Sequence, residues 1–299
     1  MPATLALLLL TAAPPNVEEV IQWLPANTET LLVARSPSQM TSFDANALGT
    51  AEVRGLASVG FPGKDMDGGK IAYEFVVDGS RKFRAPKQLG LWPYEGCKIV
   101  GLKPNEYARI QAKYRKGAKH FKLQGLDVYQ TSERWENDQW TFQFVFVDGL
   151  MLCATDRSYL SEVLKRRKEK PAKRALPDTL PQWKYIDQKA PLWVVRQFTP
   201  EANKSGGGGN MGDAKLIGYA MELSQDEKSF KVVSLSRDAA GFAKAKDLWH
   251  GFLTREHGPT PTVKKLDDRS AEITFDCTKA YEGRLGFLLL AAVGHPVFV

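Results

Sequence analysis

Residues 139–149 read QWTFQFVFVDG, and residues 150–154 continue LMLCA. Trp140, Phe142, Phe144 and Phe146 recur at period two, which puts all four on one face of an extended strand. Asp148-Gly149 follows where a two-residue hairpin loop needs positive φ at both central positions, and Leu150, Leu152 and Ala154 run back. Thr155 or Asp156 then caps a helix whose Tyr159, Leu160, Val163 and Leu164 form one apolar stripe, stopped by Pro171. This module decides the fold class: α+β, with antiparallel sheets built from strand-turn-strand-helix units.

The same closing signal stands earlier in the chain. Ile71, Tyr73, Phe75 and Val77 alternate, and Asp78-Gly79 ends the run, so a hairpin returning through Ser80 to Phe83 is expected. Thr30 to Ala34 (TLLVA) and Cys97 to Leu102 read as strands, and the chain returns to strand at Val128-Tyr129. Asn105 to Arg115 has helical spacing, with Tyr107, Ile110 and Tyr114 on one side. Asn16, with Glu19 three residues on, opens a short helix carrying Val17, Val20, Ile21 and Leu24, and Pro25 ends it. A second copy of the deciding pattern runs from Leu216 to Leu223, through a Ser-Gln-Asp-Glu turn, to Phe230 to Leu235 and a helix from Asp238 to Leu253. Ala271, Ile273, Phe275 and Cys277 mark a final strand. The chain thus divides into two α+β halves that a duplication would relate, residues 14–175 and 176–299. Their boundary falls in the basic, proline-containing stretch Lys165 to Gln182.

Met1 to Ala13 (MPATLALLLLTAA) has the outline of a secretory leader, an apolar core followed by small residues, with cleavage expected after Ala13. No Lys or Arg precedes the core. The run falls short of the ~20 apolar residues a spanning helix needs, as does Leu285 to Val293, which reads as a buried terminal helix. A periplasmic or secreted protein without an integral membrane segment after processing is therefore expected. At 299 residues, 43% apolar and 25% charged, the chain is large enough for a substantial core. Cys97, Cys153 and Cys277 lie far apart without C-x-x-C spacing; Cys153 and Cys277 read as small buried hydrophobes, with one bridge open among the three in an oxidising compartment.

No motif for catalysis, metal or nucleotide holds. In Ser205 to Gly212 (SGGGGNMG), Gly207 and Gly212 have phosphate-loop spacing, but Asp213 and Ala214 stand where Lys and Ser or Thr are required. Asp65-Met66-Asp67-Gly68-Gly69 has Gly69 at the fifth position and Val76 at the twelfth, where a calcium loop needs oxygen ligands. Gly55 to Gly60 spaces Gly and Ser one residue too far apart for a nucleophile elbow. His120, His250, His257 and His295 show no paired ligand spacing, and Asn203-Lys204-Ser205 is a glycosylation sequon. No cofactor is expected.

Charge is the feature with functional reach. The formal net charge is +7, and Lys165, Arg166, Arg167, Lys168, Lys170, Lys173 and Arg174 concentrate much of it; Lys113, Arg115, Lys116, Lys119 and Lys122 form a second basic stretch. Such runs attract polyanions through counterion release, and they equally suit a helix end and a solvated linker. The leader, LPANTETLLVAR (Leu24 to Arg35) and FVFVDGLMLCATDRSYLSEVL (Phe144 to Leu164) resemble a loose group of exported bacterial proteins of unknown function, common in planctomycete-type genomes. The resemblance implies a leader, an L-P-x-x-T lead into a strand and a strand-turn-strand-helix core, and it carries no catalytic residues. The expectation is an exported, monomeric, non-catalytic binding or structural protein of the cell envelope. Its basic patch would meet an anionic envelope polymer or lipid headgroups. The alternatives are a hydrolase whose site is assembled from distant residues and, without export, a nucleic-acid binder.

Overall fold

Alternation, caps and turn residues produce the elements in chain order. The computed structural model describes residues 15–35, 73–82, 94–135, 138–169, 175–198, 216–244 and 261–276. They form α1 (Val17–Trp23), β1 (Thr30–Arg35), β2 (Tyr73–Lys82), β3 (Tyr94–Leu102), α2 (Pro104–Gly117), β4 (Lys119–Leu123), β5 (Leu126–Trp135), β6 (Asp138–Val147), β7 (Leu150–Ala154), α3 (Arg157–Glu169), a 3₁₀ turn (Pro181–Tyr185), β8 (Leu192–Gln197), β9 (Leu216–Leu223), β10 (Ser229–Ser236), β11 (Thr262–Lys265) and β12 (Ser270–Asp276). Residues 239–244 are helical, capped by Asp238, whose Oδ1 accepts from the Gly241 amide at 2.7 Å. Residues 1–13, the glycine-rich 205–212 stretch, residues 55–69, His250, His257, His295, Cys277 and residues 285–293 lie outside the described residues.

All twelve strands join one antiparallel sheet in the order β11-β12-β10-β9-β8-β1-β2-β3-β7-β6-β5-β4. Near its middle β1 pairs with β8, and Leu32 opposes Val194. Both faces are covered, which is why TLLVA is apolar without alternating. On one face Leu31, Val33, Val77, Ile99, Val145 and Trp193 share a core with Val20 of α1, Leu24 just past its end, and Leu160 and Val163 of α3. On the other, Leu32, Val76, Val100, Phe144, Phe146 and Met221 share a core with Ile110 of α2, and Tyr107 and Tyr114 pack against it. Local chemistry sets the helix ends: Asn16 Oδ1 accepts from the Glu19 amide at 2.9 Å, and Asp156 Oδ1 from the Tyr159 amide at 2.8 Å.

The hairpin expected at Asp78-Gly79 does not form. β2 runs straight through both residues, with Gly79 opposite Leu31 on one side and Cys97 on the other. The glycine is there for space: a Cβ at Gly79 would lie 2.6 Å from Leu24 Cδ1 and 2.9 Å from the Tyr159 hydroxyl. Asp148-Gly149 does turn, at φ 52° and 77°, both left-handed as a two-residue hairpin loop requires. A Cys97–Cys153 bridge is ruled out by register. Cys97 pairs with Ala154 and Lys98 with Cys153, so the two thiols emerge on opposite faces of the sheet.

Candidate polyanion-binding edge

The edge strand β4, KHFKL, alternates cations with core contacts. His120 and Lys122 pair with Tyr129 and Asp127 of β5 and share the α2 face, while Lys119, Phe121 and Leu123 fall on the α3 face. Phe121 and Leu123 pack against the α1/α3 core, so Lys119, His120 and Lys122 are the exposed members. Gln124-Gly125, at φ 52° and 83°, turns the chain into β5. Lys122 Nζ pairs with Asp127 Oδ1 at 2.7 Å, and this contact holds the Asp127 carboxyl below its usual range. α2 ends just before β4, and Arg115 and Lys116 in its last turn complement the helix dipole. Arg115 Nε donates to the Tyr129 hydroxyl at 3.3 Å.

α3 approaches the same edge from the other face. Its Arg157 guanidinium lies 4.6 Å from the Phe121 ring centre, and Gln124 Nε2 donates to Ser161 Oγ at 3.4 Å. The four described cations of the predicted patch are engaged at the helix end. Arg166 donates through Nε and Nη2 to the Gln22 carbonyl at 3.2 and 3.0 Å, satisfying an acceptor that the end of α1 leaves open. Arg167 Nε donates to Asp148 Oδ2 at 2.9 Å, and its guanidinium stands 5.8 Å from the Trp23 ring centre. Lys168 Nζ donates to the Gln124 carbonyl, and Lys165 faces Glu169 at 3.7 Å. The last turn of α3 thus ties together α1, the β6–β7 turn and the β4–β5 turn. Lys170, Lys173 and Arg174 lie outside the described residues.

Two basic stretches more than 40 residues apart in the chain are therefore brought to one sheet edge. Sequence reading named both but found neither β4 nor the contribution of Arg157. The available signals were Gln124-Gly125 as a turn and a short lysine-bearing strand as a protected edge. The aromatics beside the cations, Phe121, Tyr129 and Tyr114, are engaged in core contacts and not laid open as stacking platforms.

The most deeply buried of the perturbed titratable groups lie away from this edge, within the sheet and its junction with α3. Lys98 Nζ is 3.4 Å from Asp78 Oδ2, with the side chains 4% and 16% exposed; burial pushes the Asp78 carboxyl up while Lys98 pulls it down. Burial also pushes the Cys97 thiol well up, which disfavours its thiolate. The Tyr159 hydroxyl, likewise raised by burial, shares a hydrogen bond with Thr28 Oγ1 at 2.8 Å. Arg81 stands 5.1 Å from the Tyr159 ring centre and binds Glu95 at 2.7 Å, Glu162 at 3.4 Å and Asn27 at 2.6 Å. Arg81 and Tyr159 meet across the junction between helix and sheet, whereas Lys98 and Asp78 meet across two neighbouring strands. Among the described residues no group of three or more His, Cys, Asp or Glu is placed to hold a metal ion, and no helix is long and apolar enough to cross a membrane.

No family model matches the chain, and no curated protein matches it significantly. Among solved structures it is similar to crystal forms of a protein named TP0453. With form III the TM-score is 0.49 at 9% identity, covering 95% of this chain and 98% of that one. With form IV it is 0.47 at 9% identity, covering 90% and 95%. With form I it is 0.47 at 10% identity, covering 94% and 98%.

Proposed function

We propose that this chain is an exported, non-catalytic binding protein of the cell envelope whose basic sheet edge takes an anionic partner. The observation that carries the reading is the convergence of α2, β4 and α3 cations on one edge, where Asp127, Asp148 and Glu169 offset only part of the charge. A concentration of one sign raises the local concentration of a polyanion and speeds its arrival. The leader outlined in residues 1–13 and the resemblance to exported envelope proteins favour an anionic envelope polymer or lipid headgroup over nucleic acid.

The topology supports two related halves, residues 14–175 and 176–299. In the first, β1, β2 and β3 form a meander, α2 follows, and the closing strand β7 returns beside β3. In the second, β8, β9 and β10 form a meander, helical residues 239–244 follow, and the closing strand β12 returns beside β10. Strand-turn-strand-helix units are the natural reading of β6–β7–α3 and of β9–β10 with residues 239–244. A monomer is favoured because both terminal strands, β4 and β11, are short and carry lysines, which discourages edge-to-edge pairing.

The test combines the N-terminal sequence of the native protein in separated envelope and cytosolic fractions with titration against anionic polymers across a salt series. A mature terminus near Pro14 in the envelope, with binding that weakens steeply with salt, supports the reading. A full-length chain in the cytosol sinks export and turns the search to nucleic acid. Absence of binding at ~50 mM salt, where polyanion contacts are strong, sinks the binding function.

A further inference from the structure

The cations at the basic edge are of two kinds. Arg166, Arg167 and Lys168 each hold another element in place, through Gln22, Asp148 and Gln124. A polyanion that took these side chains would have to displace contacts that fix α1 and two turns. Lys116 and Lys119 differ: both are exposed, and neither makes a hydrogen bond or ion pair among the described residues. They flank Gly117-Ala118, the corner between α2 and β4. Lys122, three residues beyond Lys119, is exposed with only the surface pair to Asp127.

On top of the polyanion-binding reading, we infer that the α2–β4 corner, Lys116 and Lys119 with Lys122, is the contact site for a flexible linear polyanion, and that the α3 cations serve as scaffold. Lys119 and Lys122 fall on opposite faces of the edge strand, so a ligand that meets both must cross the strand. At a rise of ~3.3 Å per residue the two positions stand about 10 Å apart along β4, within reach of successive charges on a flexible chain. A flat bilayer fits this ridge poorly. Interfacial binding gains most of its strength from apolar side chains inserted beside the cations, and here the neighbours Phe121 and Leu123 turn inward to the core.

The experiment uses the full chain and three probes: long-chain polyphosphate, vesicles of anionic phospholipid, and duplex DNA. Wild type binds polyphosphate most tightly of the three. Lys116→Glu/Lys119→Glu weakens that binding at least tenfold, and Lys116→Gln/Lys119→Gln lowers the log–log salt slope by about 1.4, taking ~0.7 per lost contact. Both leave the thermal midpoint unchanged. Arg167→Gln lowers the midpoint, while the folded protein's affinity stays within about twofold. Retained affinity in both corner variants, with loss in folded Arg167→Gln, overturns the corner assignment and leaves the broader reading standing. Tighter binding to vesicles or duplex DNA than to polyphosphate overturns the flexible-polymer assignment. Failure of wild type to bind any probe overturns both the inference and the reading beneath it.

Discussion

Val77-Asp78-Gly79 and Val147-Asp148-Gly149 are the same three residues after the same apolar alternation, yet the first lies in mid-strand and the second reverses the chain. The second behaves as local energetics dictate, because both central residues tolerate left-handed backbone and Leu150 to Ala154 has a partner strand waiting in β6. At the first, β1 and β3 both pair with β2 through the dipeptide, so a turn would sacrifice two ladders. The roles of the residues change accordingly. Gly79 supplies room for Leu24 and Tyr159, and Asp78 meets Lys98 within the sheet, whereas Gly149 supplies φ 77° and Asp148 faces outward to Arg167. An Asp-Gly pair states what a backbone tolerates, and its neighbours decide whether that tolerance is used.

The sharpest break in this comparison comes at the buried aspartate. Lys98→Met leaves Asp78 deprived of its nearest cation, and denaturant unfolding at neutral pH should show a loss of about 3–5 kcal/mol. Burial raises the Asp78 carboxyl above its usual 3.8, so the folded state holds this proton more tightly than the unfolded chain does. Its contribution is fully present below pH 3.8 and is lost as pH rises through the raised folded value, so the Lys98→Met deficit should shrink on acidification. Asp78→Asn combined with Lys98→Met should be far milder than Lys98→Met alone.

The glycines should separate next. Gly79→Ala forces Leu24 and Tyr159 to move and should cost ~1–3 kcal/mol, with part of the loss recovered when Leu24→Ala is added. Gly149→Ala costs about 1 kcal/mol through its left-handed backbone, and no neighbouring truncation should rescue it. Equal rescue at both sites would erase the distinction drawn here.

At the turn itself, Asp148→Asn keeps a residue suited to positive φ and removes the pair with Arg167. A loss below ~1 kcal/mol that vanishes at high salt is expected. The smallest effect lies with the exposed turn aspartates, which respond to pH in the opposite sense from Asp78. The Ser224 hydroxyl holds the Asp226 carboxyl below 3.8, and the Lys189 amide does the same for Asp187. Their contribution is present above pH 3.8 and is lost as pH falls through the lowered folded values. Asp226→Asn should therefore flatten the acid limb of the stability curve slightly, whereas Asp78→Asn should not.

Elements with a strong local signature were legible in the residues. The phenylalanine alternation located β6, the Asn16 and Asp156 caps located α1 and α3, and Leu216 to Leu223 matched β9 residue for residue. β8 escaped because LWVVRQ is buried on both faces and so lacks the alternation that marks a strand. β4 and β11 escaped for the opposite reason: edge strands rich in lysine bury little and look like loop. The basic stretches were legible as charge, but the division between structural cations at the end of α3 and open ones at the α2–β4 corner was not.

By itself, the sequence determined the periods, the caps, the tolerance of its turn residues and the sign of its charge, because these depend on groups a few residues apart. Only the tertiary structure decided which Asp-Gly would turn, that β1 and β8 would meet across some 160 residues, and that two basic stretches would share one edge. Those outcomes depend on which apolar surfaces find each other, and the free energy of that burial outweighs the small local preferences of any dipeptide.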